Sequence, residues 1–490
     1  GQTPAPGAAA AADRVRNGAL QATRPPSSRR SARADQGAGA PGTLVSRPLG
    51  GASAGFWLSK SLHRLSRARR QALMFLAVLG PGLITMVADN DAGGISTYAV
   101  TGAQYGFKLL WVLVLLLPIA YYTQEMTVRV GAVTKRGHAE LIFEGFGRFW
   151  GWFAVVDLVV VNWLTLVTEY IGMTEAMSIF GVAPWITYLA VTVIFTAVVM
   201  TGKYWTFEKL TLVFCLFNLV YIPAAFWAMK NPHVPGWGAV GDGLLRPQLP
   251  GGFSAALLFV ILANVGTTVT PWQIFFQQSS VVDKGLDIKH IRYGKYETLV
   301  GSFLTCIVAA FIIIATAAAF HYHKPPIVIT DAKQTAEAIG PLIPGKGHIA
   351  RALFGIGLFD AGFLGALCIS LSSSWAVGEV LGWAHSLNKG VREAPWFYVV
   401  YVVTLLTAGA VVLIPGAPLV EITMYVQVVA VTLLPAALIF LILILNDPGF
   451  MGPYVNTRWQ NVVNWSIVGA IVLISTVFAL STLFPGLLPA

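Results

Sequence analysis

Two stretches of polar residues interrupt segments that are otherwise apolar. Residues 88–94 read ADNDAGG, and residues 264–271 read NVGTTVTP. Carboxylates, an amide and a glycine pair are costly in the middle of an apolar helix, and a proline also breaks the helical hydrogen bonds. Non-helical backbone at that depth persists only where it is buried in protein or lines a cavity. The residue types therefore predict two broken helices that together form a binding site.

The charge of such a site favours a cation. The carboxyl-terminal end of a half-helix carries partial negative charge, and Asp89 and Asp91 add full negative charges. No Lys or Arg lies near either break to neutralise them. We therefore expect a cation as the ligand, and an anionic substrate is not expected.

The composition indicates a membrane protein. Hydrophobic residues make up 56% of the 490 residues, charged residues only 11%, and the mean hydropathy is +0.69. A soluble chain carries about 25% charged residues, so a soluble enzyme, a nucleic-acid-binding protein and a fibrous protein are excluded. The three cysteines, Cys215, Cys306 and Cys368, lie in apolar runs without metal-binding spacing, and we expect them to be buried.

The net charge of +10 comes from one end of the chain. Residues 1–70 hold 12 Lys and Arg against 2 Asp and Glu, and the rest of the chain is neutral. This composition, rich in Ala, Gly, Pro, Ser and Arg, predicts a disordered basic cytoplasmic arm. Residues 56–70 (FWLSKSLHRLSRARR) suggest an interfacial helix on anionic lipid, with a solvated basic tail as the alternative.

Eleven apolar segments are long enough to cross a bilayer, which needs about 20 residues. We place them at 73–98, 108–131, 150–179, 184–201, 207–229, 252–278, 296–320, 349–383, 395–414, 419–445 and 462–484. With the arm inside, the cytoplasmic loops carry 13 Lys and Arg against 7 outside. The sequence therefore predicts a multi-pass protein of the cell membrane with a cytoplasmic N-terminus and an extracellular C-terminus.

The two breaks fall in the first and sixth spans, five spans apart. Interrupted segments at corresponding positions of two halves are typical of transporters built from inverted repeats. We expect an all-α membrane protein with an inverted 5+5 repeat. The transporter domain would cover residues 71–490, with the first repeat at about 72–230, the second at about 250–446 and an extra helix at 462–484.

The segment GPGLITMVADNDAGGISTYAVTGAQYGFKLLW resembles the opening of the NRAMP divalent-metal transporters (natural resistance-associated macrophage proteins). The likeness continues through QEMTVRVGAVT (124–134), TEYIG (168–172), the sixth span, Gln427 with the following LLP, and FMGPYVN (450–456). It covers most of residues 72–465. The resemblance implies the LeuT-like fold and a divalent-cation substrate. Because the sequence shows no catalytic constellation, we do not expect an enzyme.

Carried over residue by residue, the resemblance also shows departures. Asp91 matches the metal-binding aspartate of the family, but Gly94 stands where the family has an asparagine ligand. Thr270 replaces the methionine ligand, Thr267 matches the alanine whose carbonyl binds metal, and Trp272 replaces the histidine. Glu169 is retained, whereas Leu166 replaces the aspartate three residues before it. The arginine pair near the ninth helix is reduced to Arg392.

These departures predict a different metal preference. Sulfur favours softer transition metals, whereas oxygen ligands suit magnesium, which usually keeps several waters. We expect loss of the Asn side chain at Gly94 to make the site roomier, as in the NRAMP-related magnesium transporters that also move manganese. The predicted metal-site residues are Ala88, Asp89, Asn90, Asp91, Gly94, Thr267, Thr270, Gln273 and Gln427. Gln427 matches a residue that approaches the metal when the family's proteins close.

The sequence also bears on proton movement. None of the eight histidines lies in mid-membrane, and Trp272 and Leu166 occupy positions of proton-relay residues. Glu169 at the third such position is either a proton carrier or a hydrogen-bonded packing residue. We expect metal transport without proton coupling, by a monomer in the lipid bilayer, with Mg²⁺ or Mn²⁺ as substrate, no cofactor and no nucleic acid.

Three other functions stay open at this point. A standard proton-coupled Mn²⁺ or Fe²⁺ importer would need the Met and His that this sequence lacks. An amino-acid transporter of the same architecture would not place two carboxylates at its first break. A sensor without transport would use the basic arm as its output.

Overall fold

The computed structural model describes residues 79–323, 347–484 and 487–489. The arm at 1–70 and its suggested interfacial helix lie outside the described residues. Within the described ranges the chain is helical and shows no strand. The first segment is broken into α1 (Pro81–Val87) and α2 (Ala92–Tyr105), and α3 (Leu110–Thr134), the short α4 (His138–Phe146) and α5 (Arg148–Ser178) follow.

The chain continues with α6 (Pro184–Met200), α7 (Tyr204–Phe217), a 3₁₀ turn (Asn218–Val220), α8 (Tyr221–Ala228) and α9 (Trp237–Leu245). The sixth predicted span is broken into α10 (Ala255–Thr268) and α11 (Pro271–Asp283). Next come α12 (Ile291–Thr316) with a π-helical end (Ala317–His321), α13 (Gly347–Leu381) and α14 (Pro395–Gly409). The last elements are α15 (Leu419–Asn446), α16 (Pro448–Met451) and α17 (Arg458–Leu483).

Nine stretches of helix in the described ranges are long and apolar enough to cross a membrane. The other two predicted spans are the broken pair α1–α2, of 7 and 14 residues, and the 17-residue α6. The count of eleven spans therefore stays a prediction. Each predicted span in the described ranges nevertheless coincides with a helix or a helix pair, because the long apolar runs determine where helices form.

The two breaks are shorter than predicted. The first covers residues 88–91, because Ala92, Gly93 and Gly94 already belong to α2. The second covers only Val269 and Thr270, and the polar residues of the NVGTT stretch stay helical at the end of α10. Threonine and asparagine side chains can bond to carbonyls of the preceding turn, as Thr268 Oγ1 and Asn264 Nδ2 do, so these residues do not by themselves end the helix.

The broken helices lie in the middle of the helical bundle. α2 packs against α5, α10, α12, α13 and α15, while α5 and α13 pack along each other. Gly266 permits a close approach of α10 to α15, because a Cβ at this position would overlap the backbone carbonyl of Gln427. The three cysteines are buried and unpaired, as predicted.

Candidate metal site

Asp91 begins the second half of the first broken helix. It is the N-cap of α2, and its Oδ1 accepts a hydrogen bond from the backbone N–H of Gly94 at 2.7 Å. Glu169 on α5 joins this helix end, because its Oε2 accepts from the N–H of Ala92 at 3.0 Å. Both carboxylates are at least 98% buried. They bond to N–H groups that the start of a helix leaves unsatisfied, which stabilises the break.

Oxygen atoms from both broken helices converge above Gly94. A Cβ at this position would lie 2.8 Å from Thr267 Oγ1, 2.9 Å from the carbonyl oxygen of Asp89 and 3.3 Å from Asp91 Oδ1. The expectation of a roomier site at Gly94 is therefore wrong. The volume of the missing side chain is filled by the Thr267 hydroxyl and the Asp89 carbonyl, which are themselves oxygen donors.

The amide of Gln427 on α15 lies beside this group of oxygens. A Cβ at Gly93 would contact Gln427 Nε2, and it would lie 2.9 Å from Thr168 Oγ1 and 3.4 Å from Asp91 Oδ1. Both polar atoms of the Gln427 amide are buried without a hydrogen-bond partner among the described residues, as is Thr267 Oγ1. Buried polar groups without partners are uncommon and call for an explanation such as an unplaced water or ion.

Gln273 connects the two breaks to each other. Its Nε2 donates to Asp89 Oδ1, while its Oε1 accepts from the N–H of Thr270 at 3.2 Å and from Gln124 Nε2 at 3.3 Å. Asn90 turns toward α12, where Nδ2 donates to the carbonyl of Thr305 at 3.2 Å. Gln273 therefore fixes Asp89 and the start of α11 together.

The structure brings most of the predicted site residues to the two breaks. The oxygen group above Gly94 consists of Asp91 Oδ1, Thr267 Oγ1 and the Asp89 carbonyl, and the Gln427 amide lies beside it. Ala88 ends α1 beside it, Thr270 caps α11, and Asn90 and Gln273 form the surrounding hydrogen bonds. The roles of all nine as metal ligands stay predictions. Within the described ranges no group of three or more His, Cys, Asp or Glu forms, so these mixed oxygen donors are the strongest candidate.

The predicted proton-path positions separate into one carboxylate and two apolar side chains. Trp272 and Leu166 are fully buried in the apolar core, and Trp272 packs edge-on against Phe276 with ring centroids 6.0 Å apart. Glu169 lies at the oxygen group and also accepts from Thr168 Oγ1 at 3.2 Å. Of these three residues, only Glu169 has a titratable side chain.

Thr168 and Gln124 are not among the residues that the sequence predicts for the site. Thr168 lies beside Glu169 in the TEYIG motif, and Gln124 is the first residue of the QEMTVRVGAVT motif. Both motifs were recognised, but their polar residues face the breaks only once α3 and α5 are packed. A glutamine or threonine within an apolar segment is the sequence feature that could have indicated these two residues.

His138 lies at a helix end, outside the predicted spans, yet its side chain is buried. It begins the short α4, is fully buried, and packs edge-on against Phe275 at 4.8 Å, with Nε2 3.2 Å from the carbonyl of Ala437. Burial lowers the pKa of His138 to about 4. This histidine is therefore neutral near neutral pH.

The family assignment follows from these features and from comparison with known proteins. The family model for natural resistance-associated macrophage protein-like proteins matches residues 82–481, and the chain belongs to this family. It is 26% identical over 455 residues to the divalent metal cation transporter MntH of Granulibacter bethesdensis, covering 88% of this chain and 94% of that protein. It is also 26% identical to the MntH of Klebsiella pneumoniae, covering 83% and 94%.

Solved structures show the same fold. A crystal structure of the Eremococcus coleocola manganese transporter superposes with a TM-score of 0.68 at 19% identity, covering 83% of this chain and 87% of that chain. The structure of MhsT in complex with L-phenylalanine superposes with a TM-score of 0.55 at 13% identity, covering 82% and 98%. The all-α, LeuT-like architecture predicted from the sequence is confirmed at this level.

Proposed function

We propose that this chain moves divalent metal ions across the membrane by alternating access, with Mg²⁺ and Mn²⁺ as substrates. The observation that supports the proposal best is the convergence of Asp91 Oδ1, the Asp89 carbonyl and Thr267 Oγ1 above Gly94. These oxygens belong to the two broken helices, and relatives named as divalent metal cation transporters cover most of the chain.

The donor chemistry supports magnesium among the substrates. No residue of either break carries sulfur, and the ligands available there are carboxylate, carbonyl, hydroxyl and amide oxygens. Such ligands suit the hard cations magnesium and manganese, and magnesium commonly binds proteins through few direct ligands while keeping waters. The close packing around Gly94 restricts the number of waters on that side, so hydration would have to come from the side of Gln427.

We further propose that metal moves without a proton. Trp272 and Leu166 cannot carry protons, and Glu169 is engaged as the hydrogen-bond acceptor at the start of α2. The second candidate is a proton-coupled manganese importer. The position of Glu169 beside Asp91 and the likeness to the Eremococcus coleocola manganese transporter favour it.

The experiment that tests the proposal is metal uptake by the purified full chain in proteoliposomes. We expect uptake of Mn²⁺ and Mg²⁺ above that of empty liposomes, and Ca²⁺ uptake is measured for comparison. A preparation of correctly folded protein that moves neither Mn²⁺ nor Mg²⁺ would overturn the proposed function.

A further inference from the structure

Helix α13 carries a buried carboxylate, Asp360, that lies away from the metal site. Asp360 is 3% exposed, and Oδ2 accepts a hydrogen bond from Asn218 Nδ2 at 3.3 Å. It forms no ion pair with any residue in the described part of the chain. A buried carboxylate with one weak partner is strongly destabilising unless a positive charge or a proton compensates it.

The surroundings of Asp360 come from a break in the facing helix. Asn218 begins the 3₁₀ turn between α7 and α8, and Tyr221 is the first residue of α8. Tyr221 Oη lies beside Gly357, one turn before Asp360, at 3.0 Å from where a Cβ at Gly357 would stand. The backbone irregularity and the missing side chain at Gly357 thus bring the amide and the phenol to the same stretch of α13.

Three oxygens of this group lack hydrogen-bond partners among the described residues. They are Asp360 Oδ1, Asn218 Oδ1 and Tyr221 Oη, and each belongs to a side chain that is at least 97% buried. Native proteins leave few buried polar atoms unpaired, and a bound water or ion is a common explanation. The unpaired oxygen of Asp360, together with the unpaired oxygens of two neighbouring side chains, points to a ligand that binds oxygen donors.

We propose that Asp360, Asn218 and Tyr221 form a sodium site, which is separate from the divalent-metal site. One carboxylate supplies a single negative charge, which matches a monovalent cation. The carboxylate, amide and phenol oxygens are the hard donors that alkali and alkaline-earth cations prefer. A proton on Asp360 would compensate the charge but would satisfy only one acceptor directly, whereas a coordinated ion contacts several oxygens at once.

The titratable groups near Asp360 do not supply the missing charge. On α7 and α8 these groups are Cys215 and Tyr221, which are neutral when protonated. On α5, Glu169 lies beside Gly365, on the part of α13 that faces Asp91. None of these groups provides a positive charge for Asp360.

Helix α13 links the proposed sodium site to the metal site. A Cβ at Gly365 would lie 2.8 Å from both Asp91 Cβ and Glu169 Oε2, and Asp360 lies five residues earlier, about 7.5 Å along the helix. A sodium ion that joins α13 to the α7–α8 turn would therefore fix the helix that packs on Asp91. This inference rests on the proposed function, because sodium would act as a coupling ion for metal transport.

Two measurements on the purified full chain test the site. The first is equilibrium binding of radioactive sodium in detergent without divalent metal. The second is Mn²⁺ uptake into proteoliposomes with sodium replaced by choline, at fixed pH and membrane potential. We expect saturable sodium binding and faster Mn²⁺ uptake in sodium, and Asp360→Asn should abolish both effects.

Asp157→Asn is the matched control, since Asp157 is a half-buried carboxylate on α5 outside both sites. It should keep the sodium binding and the sodium effect. If Asp360→Asn does not fold, Tyr221→Phe removes one oxygen only and should weaken sodium binding about threefold to tenfold.

If the folded wild-type protein takes up Mn²⁺ at the same rate in sodium as in choline, the inference is overturned and the proposed function is unaffected. The inference is also overturned if the rate of Mn²⁺ uptake depends on pH and not on sodium, and if Asp360→Asn abolishes that dependence. That result would place a proton at Asp360 in place of sodium. Loss of all metal uptake in the wild type would instead contradict the proposed function.

Discussion

The backbone N–H of Ala92 donates to Glu169 Oε2 at 3.0 Å, which places this carboxylate at the N-terminus of α2 beside Asp91. The start of α2 is thus held by two carboxylates, since Asp91 accepts from Gly94. Negative charge at a helix N-terminus is favourable, and unsatisfied N–H groups in an apolar environment are costly. Glu169 therefore stabilises the break itself, whether or not it also carries protons.

The central prediction concerns Asp91. Asp91→Ala should abolish metal uptake because it removes the only full charge in the oxygen group above Gly94. Asp91→Asn should retain an acceptor for the N–H of Gly94 yet lower uptake by at least about a hundredfold, since even substitution of residues that only orient metal ligands commonly costs about 10- to 100-fold. Uptake of Mn²⁺ by purified variants in proteoliposomes, with gel filtration as the control for folding, measures both. Near-normal uptake by folded Asp91→Ala would remove Asp91 from the site.

Gly94 and Thr267 should behave as a coupled pair. In the family pattern these positions hold an asparagine and an alanine, and here the Thr267 hydroxyl fills the volume next to Gly94. Gly94→Asn alone should destabilise the protein by about 1–3 kcal/mol through overpacking and should lower uptake. Adding Thr267→Ala removes one of the two close contacts and should restore part of the stability and uptake.

A thermal-shift and uptake cycle of the two single variants and the double variant measures this coupling. Thr267→Ala alone is the control for loss of the hydroxyl. Strictly additive effects would show that the two positions do not share the same volume.

The sequence predicted the two breaks, but it did not predict how closely the residues around Gly94 pack. Asp89, Asp91 and Pro271 indicate broken helices because charges and proline are unfavourable inside apolar spans. The sequence could not predict that the Thr267 hydroxyl fills the space beside Gly94. Which atom of the partner helix fills such a space depends on how the two helices pack. The sequence indicated a lost side chain at Gly94 and a metal-binding carbonyl at Thr267, whereas in the structure the Thr267 hydroxyl occupies the volume beside Gly94.

Selectivity provides a separate prediction. Magnesium at millimolar concentration should compete with manganese, because the break residues offer oxygen ligands and no sulfur. Mn²⁺ uptake at fixed ionic strength, with Mg²⁺ added on the same side, measures the competition, and Ca²⁺ at equal concentration is the control. Unchanged Mn²⁺ uptake in excess Mg²⁺ would show that magnesium is not a substrate, while manganese transport could still stand.

The start of α1 is held by a buried ion pair. Lys284 Nζ lies 2.5 Å from Glu208 Oε1 and donates to the carbonyl of Leu79 at 2.7 Å, and both charged side chains are 2% exposed. Lys284→Met should destabilise the protein by about 3–5 kcal/mol, because Glu208 would keep a buried, uncompensated charge. The double variant Lys284→Met/Glu208→Leu should recover much of that loss.

Thermal unfolding in detergent measures these differences, with the exposed pair Arg246–Asp242 as the control. Arg246→Ala should change stability by less than about 1 kcal/mol, because exposed ion pairs contribute little. A double variant no more stable than Lys284→Met would show that the loss comes from the contact with Leu79 and not from the charge on Glu208.

The last prediction concerns whether a proton moves together with the metal. We expect no proton to accompany the metal, since Trp272 and Leu166 are apolar core residues and His138 stays neutral with a pKa of about 4. A pH-sensitive dye inside proteoliposomes should therefore report no acidification during Mn²⁺ uptake at a clamped membrane potential. Glu169→Gln keeps an oxygen that can accept from Ala92 but cannot titrate, so this variant should fold and transport metal. Acidification in the wild type that disappears in Glu169→Gln would establish coupling through Glu169, because the hydrogen bond at the start of α2 is preserved in that variant.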